Sequence, residues 1–504
     1  MRRIIKGQGT VKIEDVKLVE NYVRISGKLY FQILYVTDQG EPMPAVLDGK
    51  IPFEEMVYTE GEERTQYFVR NIRVEFGTTL VHSRKISIRA MIEMEVGCEN
   101  LIEEETAVDL ESSASIYKKQ KPVNLLKLHT AKKDTYRIKE EITIPGTKES
   151  IGQVLLTDIT GRKLEVRAAQ DELLLRGELQ IFCMYLSEEG KTDWLEQSVP
   201  YEGRIECSGA TEGMYYDVQH ALEDTLADVR MDEDGEMRII GIEGTVSLRI
   251  NLYEEEELNL LEDLYSLEQK VSYQTREAVY EELLLQNQSK CKIVENLSLP
   301  ELKDDVLQIC HSSGSVQIEH VETRAEKQGG ILIEGILHVS FLYLKADDAL
   351  PFGNWQGMVP FSYLLECPDM PKDVRYQLSN RVEQISVTMT GSDSVEVKAV
   401  LDLMYFKKRS ADAGHHRSVS GGNRPGRNWR KKTGDRRVYG KSGDDLWTLA
   451  KQYMTTEESI RQINHLEMEK SNRAISSSSV KRSECRDISL ILKAKWVYYK
   501  QQMY

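Results

Sequence analysis

The stretch "GKLYFQILYV" (Gly27–Val36) returns as "GELQIFCMYL" (Gly177–Leu186) and again as "GILHVSFLYL" (Gly335–Leu344). Each copy is a glycine followed by strict alternation. Leu29, Phe31, Ile33 and Tyr35 share one face of an extended segment. Leu179, Ile181, Cys183 and Tyr185 do the same, as do Leu337, Val339, Phe341 and Tyr343. Period-two alternation of aliphatic and aromatic side chains describes a half-buried strand.

Outward from each phrase the match continues. About 25 residues after each glycine comes a proline–aromatic pair, at Pro52–Phe53, Pro200–Tyr201 and Pro360–Phe361. Further on lies a second alternating run: "ISIRAMIEMEV" from Ile86, "IEGTVSLRINLY" from Ile242 and "VEVKAVLDLMYF" from Val395. Three landmarks in one order identify three copies of one domain. Their spacing of roughly 150 residues is domain-sized rather than solenoid-sized, so each copy can bury its own core. Turn chemistry at "DQGE" (Asp38), "SEEGK" (Ser187) and "DEDGE" (Asp232) joins short strands, which predicts a mainly β chain of β-sandwich-like modules. A lead-in also recurs: "YRIKEEITIPGTKESIGQVLL" from Tyr136 matches "CKIVENLSLPELKDDVLQIC" from Cys291, with Pro145 over Pro300. Copy one has no such lead-in ahead of it, which predicts a chain short at its amino end. The modules are expected at residues 1–110, 124–257 and 280–408.

The 504 residues carry a net charge of −16, which disfavours nucleic acid or anionic lipid as main partner. No apolar run reaches the roughly 20 residues needed to span a bilayer, and the start has no apolar signal-peptide core. Seven scattered cysteines, never in a CxxC pair, fit reduced packing residues of a cytosolic protein. Against this acidic background, residues 409–437 are rich in Gly, Ser, Arg and Lys and almost free of apolar side chains. That composition predicts a flexible basic linker, with a tether to nucleic acid or a shifted reading frame as the other readings.

Residues 438–495 follow as a small α+β unit. Ser442 with Asp445 has the capping-box spacing, and Leu446, Leu449, Ala450 and Tyr453 form one apolar stripe of a helix. Thr455 with Glu458 starts a second helix, with Ile460 and Ile463 on its inner face. Gly443, Asp444, Leu446, Ala450, Ile460, Ile463 and Asn464 resemble the LysM motif, a βααβ fold. The expected closing strand is replaced by a long insertion before "DISLILKA" (Asp487). The same helices also allow a helix-turn-helix reading, against which stand Glu457 and Glu458 at the start of the second helix.

Three glycine-led β repeats ahead of a LysM-like unit resemble the SPOCS-domain proteins of spore-forming Firmicutes, of the SipL type known in clostridia. The resemblance implies a non-enzymatic scaffold of spore-coat assembly in the mother-cell cytosol, at the forespore surface. It implies a contact with the ATPase of the coat basement layer through the LysM-like domain. Gly443, Asp444, Trp447 and Asn464 are the expected partner- or glycan-binding residues. Trp447 lies about 100° off the apolar stripe, as core against the second helix or as an exposed anchor.

No catalytic constellation assembles. The chain has no GxxxxGK[ST] loop, no HExxH and no GxSxG. Asp232–Glu236 starts like a calcium loop without its later ligands and reads as a hairpin turn. Cys310–His311 and His415–His416 have no companions at metal spacing. Glu254–Glu257 reads as a solvated face after a strand. No enzymatic activity, cofactor or metal is expected. The alternatives to the scaffold are a LysM protein binding peptidoglycan-type N-acetylglucosamine polymers and a DNA-binding regulator.

Overall fold

In the computed structural model each glycine-led phrase is the middle strand of a three-stranded antiparallel sheet. The structure describes residues 1–37, 43–60, 66–105, 107–110, 115–268, 271–303, 305–324, 330–345, 351–366, 374–421, 445–464, 479–486 and 497–500. The first repeat comprises β1 (Arg3–Val19), β2 (Tyr22–Val36), β3 (Pro44–Tyr58), β4 (Gln66–His82) and β5 (Lys85–Glu105). The second runs from β6 (Ile116–Thr143) through β7 (Ile151–Ala169), β8 (Glu172–Ser187), β9 (Thr192–Glu206) and β10 (Tyr215–Met231) to β11 (Met237–Ser266). The third uses β12 (Val271–Ser298), β13 (Val306–Arg324), β14 (Gly330–Lys345), β15 (Phe352–Glu366), β16 (Val374–Met389) and β17 (Ser394–Gly421). One sheet of each repeat is a meander, β1-β2-β3, β7-β8-β9 or β13-β14-β15. The other joins the last two strands to the lead-in, as β10-β11-β6 and β16-β17-β12.

Strand register explains the recurring sequence landmarks. Phe53 lies opposite Gly27, Tyr201 opposite Gly177 and Phe361 opposite Gly335. Each ring lies over the bare glycine, within 2.8, 2.6 and 3.0 Å of where a Cβ would stand. The aromatic therefore occupies space that only glycine leaves open. The neighbouring prolines sit on β3, β9 and β15, the outer strands of the meanders, where a missing N–H costs no ladder bond. The Asp232 turn closes the β10–β11 hairpin: its Oδ1 accepts from the N–H of Asp234 at 3.0 Å and of Glu236 at 2.9 Å, and Gly235 has φ +82°.

The two sheets of a repeat pack face to face through their alternating residues. Leu179, Ile181, Cys183 and Tyr185 are fully buried against Ile240, Ile250 and Leu252 of the facing sheet. The third repeat builds the same core from Leu337, Val339, Phe341 and Tyr343. These are the sandwiches that the alternation predicts.

The opposite face of the phrase, however, is also buried near its end. Leu34, Met184 and Leu342 occupy the same step of the three phrases and all are fully buried, together with Ile5, Leu156, Phe182 and Cys310. They form a hub to which every repeat contributes. His311 stacks on Phe182 at 4.2 Å and shares a 2.9 Å contact with Asp158 and a 3.4 Å contact with Glu196. Burial disfavours the imidazolium there, yet the two carboxylates prevail and raise its pKa. Gln8 of the first repeat donates to the Thr157 carbonyl of the second at 2.9 Å.

Three expectations are corrected. The paired strands outrun the expected module boundaries, so Glu254–Glu257 lies within β11 rather than after it, with Lys127 bridging Glu254 at 3.0 Å and Glu256 at 3.3 Å. Ser410–Gly421, read as linker within 409–437, continues β17 opposite β12, because backbone pairing needs a partner strand rather than apolar side chains. His415 and His416 stand there opposite Arg276 and Thr275, and residues 422–444 lie outside the described residues. Finally, two helices form, α1 (Leu446–Gln452) and α2 (Glu457–Asn464), but β18 (Ser479–Arg486) and β19 (Val497–Lys500) pair with β5 rather than with them. A closed βααβ unit is therefore not assembled among the described residues, and Asp487–Ala494 falls outside them.

Candidate functional site

The expected binding residues gather on the helix pair. Gly443 and Asp444 lie outside the described residues, as does the side chain of Asn464, the last residue of α2. Asp445 caps α1, its carboxylate accepting from the Thr448 N–H at 2.8 Å, and Thr456 accepts from the Ser459 N–H at 3.0 Å to open α2. Each cap satisfies an orphan donor of the first turn. Both stand close to the positions that the capping spacings predict, with Asp445 itself as the cap and Thr456 in place of Thr455.

The stripe of α1 is rotated from its expected setting. Trp447 and Ala450 are buried, Leu446 and Leu449 are half-buried, and Tyr453 is 50% exposed. The reason is the surface beneath. Beyond the sandwich core, β6 and β11 continue as a two-stranded ribbon, and Tyr117 stacks on Tyr265 there at 5.1 Å. Trp447 meets Tyr265 edge-on at 4.9 Å, and Ile460 of α2 packs alongside. The Tyr265 hydroxyl donates to the Thr455 carbonyl at 3.0 Å, which fixes the turn between the helices. Trp447 is thus core, packed on the ribbon, with Ile460 of the second helix in the same cluster.

Asp263 organises the polar rim of this joint. Its Oδ2 accepts from Trp447 Nε1 at 2.8 Å, while Oδ1 accepts from Lys451 Nζ and from the Tyr273 hydroxyl. Lys451 also reaches the Tyr273 oxygen at 2.6 Å. Burial opposes ionisation of Asp263, but hydrogen bonds from Lys451, Tyr273 and Trp447 outweigh it and hold the carboxyl below its usual range. For Lys451 burial is likewise overcome, by Asp263 and Tyr273, and its pKa is raised. Lys119 forms a second bridge at 3.3 Å to Asp445, tying β6 to the start of α1.

Asp263, Tyr265, Tyr117 and Tyr273 escape a sequence reading because they lie past the ends of the repeating landmarks. Their signal is the pairing of "LYS" (Leu264–Ser266) with "IYK" (Ile116–Lys118), visible once the strands are in register. What the joint leaves to solvent is the corner between the helices: Tyr453 and Met454 are both more than half or about half exposed, and Met454 holds a left-handed φ of 53°. Such a corner can make apolar contacts with a partner; it holds no constellation for bond chemistry.

Elsewhere, burial pushes the thiols of Cys183 and Cys310 up to about 12, so neither is a thiolate near neutrality. Among the described residues no group of three or more His, Cys, Asp or Glu could hold a metal ion, and no helix is long and apolar enough to cross a membrane.

Three segments of the chain, residues 1–78, 150–230 and 305–390, match the family model of the SipL SPOCS domain. Each covers a meander sheet and the strand or strands after it. No curated protein and no solved structure matches the chain.

Proposed function

Since the chain belongs to the SipL family of SPOCS-domain proteins, a sporulation-related family, we propose that it is a non-enzymatic scaffold for assembly of the spore coat. It acts in the mother-cell cytosol at the forespore surface and engages the ATPase of the coat basement layer through its carboxyl-terminal helix pair. The observation that carries this reading is the threefold match itself, on repeats that share one hub. Three related surfaces held in fixed relation suit a molecule that gathers several partners at once.

Trp447 is committed to the ribbon, so the contact falls to the exposed corner at Tyr453 and Met454. Exposed aromatic and methionine side chains are favoured at interface centres. The test is capture of the purified basement-layer ATPase by the full chain and by a Tyr453→Ser, Met454→Ser double variant. The variant should weaken capture about thirtyfold, equivalent to the roughly 2 kcal/mol of a hot-spot truncation, with an unchanged melting temperature. Undiminished capture would move the contact off the helices, and no capture by the unaltered chain would remove the proposed partner.

A further inference from the structure

Beside the hub, strands of all three repeats surround a cavity of about 490 Å³. That volume is in the range of small-molecule sites. Asp158, which meets His311 in the hub, also faces this cavity. Register shows how the repeats share it. Thr10, Thr160 and Ser315 stand opposite Tyr30, Gln180 and His338, each three residues past the glycine of its phrase. They are therefore one position in three copies. All three are exposed and all three line the cavity, so every repeat presents a hydroxyl there. Asn71 of β4, His220 of β10 and Asn380 of β16 add two amides and an imidazole. Ile159, Leu222 and Val316 give the walls aliphatic surface between these polar groups.

The charges around the cavity are balanced except at one place. Glu93 is bridged by Arg73 at 2.7 Å, Glu95 by Arg70 at 2.9 Å and Asp158 by His311 at 2.9 Å. Arg381 of the third repeat reaches into the second instead, where Nη1 donates to the His220 ring and Nη2 to the His220 carbonyl at 3.5 Å. Burial and the guanidinium push the His220 pKa well below its ordinary value, so the ring is neutral and accepts from Arg381 without cancelling its charge. Asp402 stands opposite Arg381 on β17 and acts on it only at longer range. Among the described residues no carboxylate bridges this guanidinium. A sheltered charge without a counter-charge is costly, and a guanidinium matches the two oxygens of a carboxylate. One unbalanced positive charge calls for one negative charge. A phosphate dianion would bring a second, facing Glu93, Glu95 and Asp158.

We propose that the cavity between the three repeats is a binding site for a small hydroxylated monocarboxylate. Arg381 holds its carboxylate, beside the neutral His220, and Thr10, Thr160 and Ser315 meet its hydroxyl groups. Because all three repeats line the site, the bound molecule also ties them together and stabilises their arrangement by mass action. The site is independent of the helix pair and of any partner held there.

Calorimetric titration of the full chain with glycolate, lactate and gluconate tests it, with glucose and inorganic phosphate as comparisons. At least one of the three acids should bind saturably, one molecule per chain, and glucose should not. Arg381→Gln should weaken that binding at least about tenfold, and Thr160→Val about threefold, as expected for a charged and a neutral hydrogen bond. The imidazole proton resonances of His220, identified by their loss in His220→Asn, should shift saturably with the same acid. Thr160→Val alters an exposed position, so it decides the matter should Arg381→Gln fail to fold. No saturable binding by any of the three acids overturns the proposal. So does binding undiminished in Arg381→Gln or, where that chain does not fold, in Thr160→Val. Glucose binding as tightly as gluconate, or phosphate binding more tightly than every acid, overturns the assignment of a carboxylate.

Discussion

Gly335 shows how much one missing side chain can decide. Its hydrogen faces the Gln317 carbonyl oxygen and the ring of Phe361, so a methyl group there must displace backbone or ring. Gly335→Ala should lower stability by about 1–3 kcal/mol, the usual cost of overpacking, read as a shift of the denaturant midpoint at constant slope. Gly190, with open space around it, has no such neighbour to displace; its φ of 84° sets its own cost. Asp263 makes a prediction in pH. Its lowered pKa means that its contribution to docking the helices is full above the ordinary aspartate value of about 3.9 and is lost as pH falls through the lower folded value. Lys451, raised, contributes fully below about 10.4 and is lost as pH rises through its higher folded value. The indole N–H resonance of Trp447 should therefore hold steady between those limits and move in acid, and Asp263→Asn should abolish the acid step. Trp447 was legible as a helix residue that is either core or an exposed anchor, and the spacing alone did not choose between them. Helical spacing assigns a face only relative to the other residues of the helix, and here an outside surface, Tyr265, chose which face would be covered.

Among elements, the strands were legible because two-residue alternation survives in all three copies, and the turn at Asp232 because its chemistry is local. The ribbons were not. Where β6 and β11 leave the sandwich, neither strand has a constant buried face, and only the pairing of one with the other makes them regular. The same holds for Ser410–Gly421, whose composition reads as linker until β12 is placed beside it. The rotated setting of α1 reverses an expectation about its side chains. Trp447→Ala should undock the helix, at the roughly 3–5 kcal/mol typical of a large buried aromatic, whereas Leu446→Ala, half-buried, should cost clearly less. Protease cutting within α1 measures both. On the outer strands, Pro200 gives a further test. Pro200→Thr restores a backbone donor on an unpaired edge, and light scattering should then show concentration-dependent association that the parent chain lacks.

At the scale of the whole molecule the three sandwiches are one body. Alternation counts the residues facing a strand's own partner sheet, so Leu34, Met184 and Leu342, on the other face, carried no mark of a shared core. Their register across three copies was the available sign. The hub predicts that a chain nicked between repeats will still elute as a single species. Met184→Asp, which buries a carboxylate in the hub, should split the unfolding transition and let the nicked pieces separate on gel filtration. One further position of the hub bears on ancestry. Lys6, Leu156 and His311 are strand partners of Leu34, Met184 and Leu342, and so are one site written three ways. Three separate identical subunits would have to bring the same side chain to that place three times, and three buried ammonium groups or three imidazoles would repel. Joined in tandem, the copies are released from self-complementarity: one can supply an amine, one a hydrocarbon and one an imidazole that meets Asp158. Duplication within a single gene thus makes an asymmetric centre available to three repeats that share one hub.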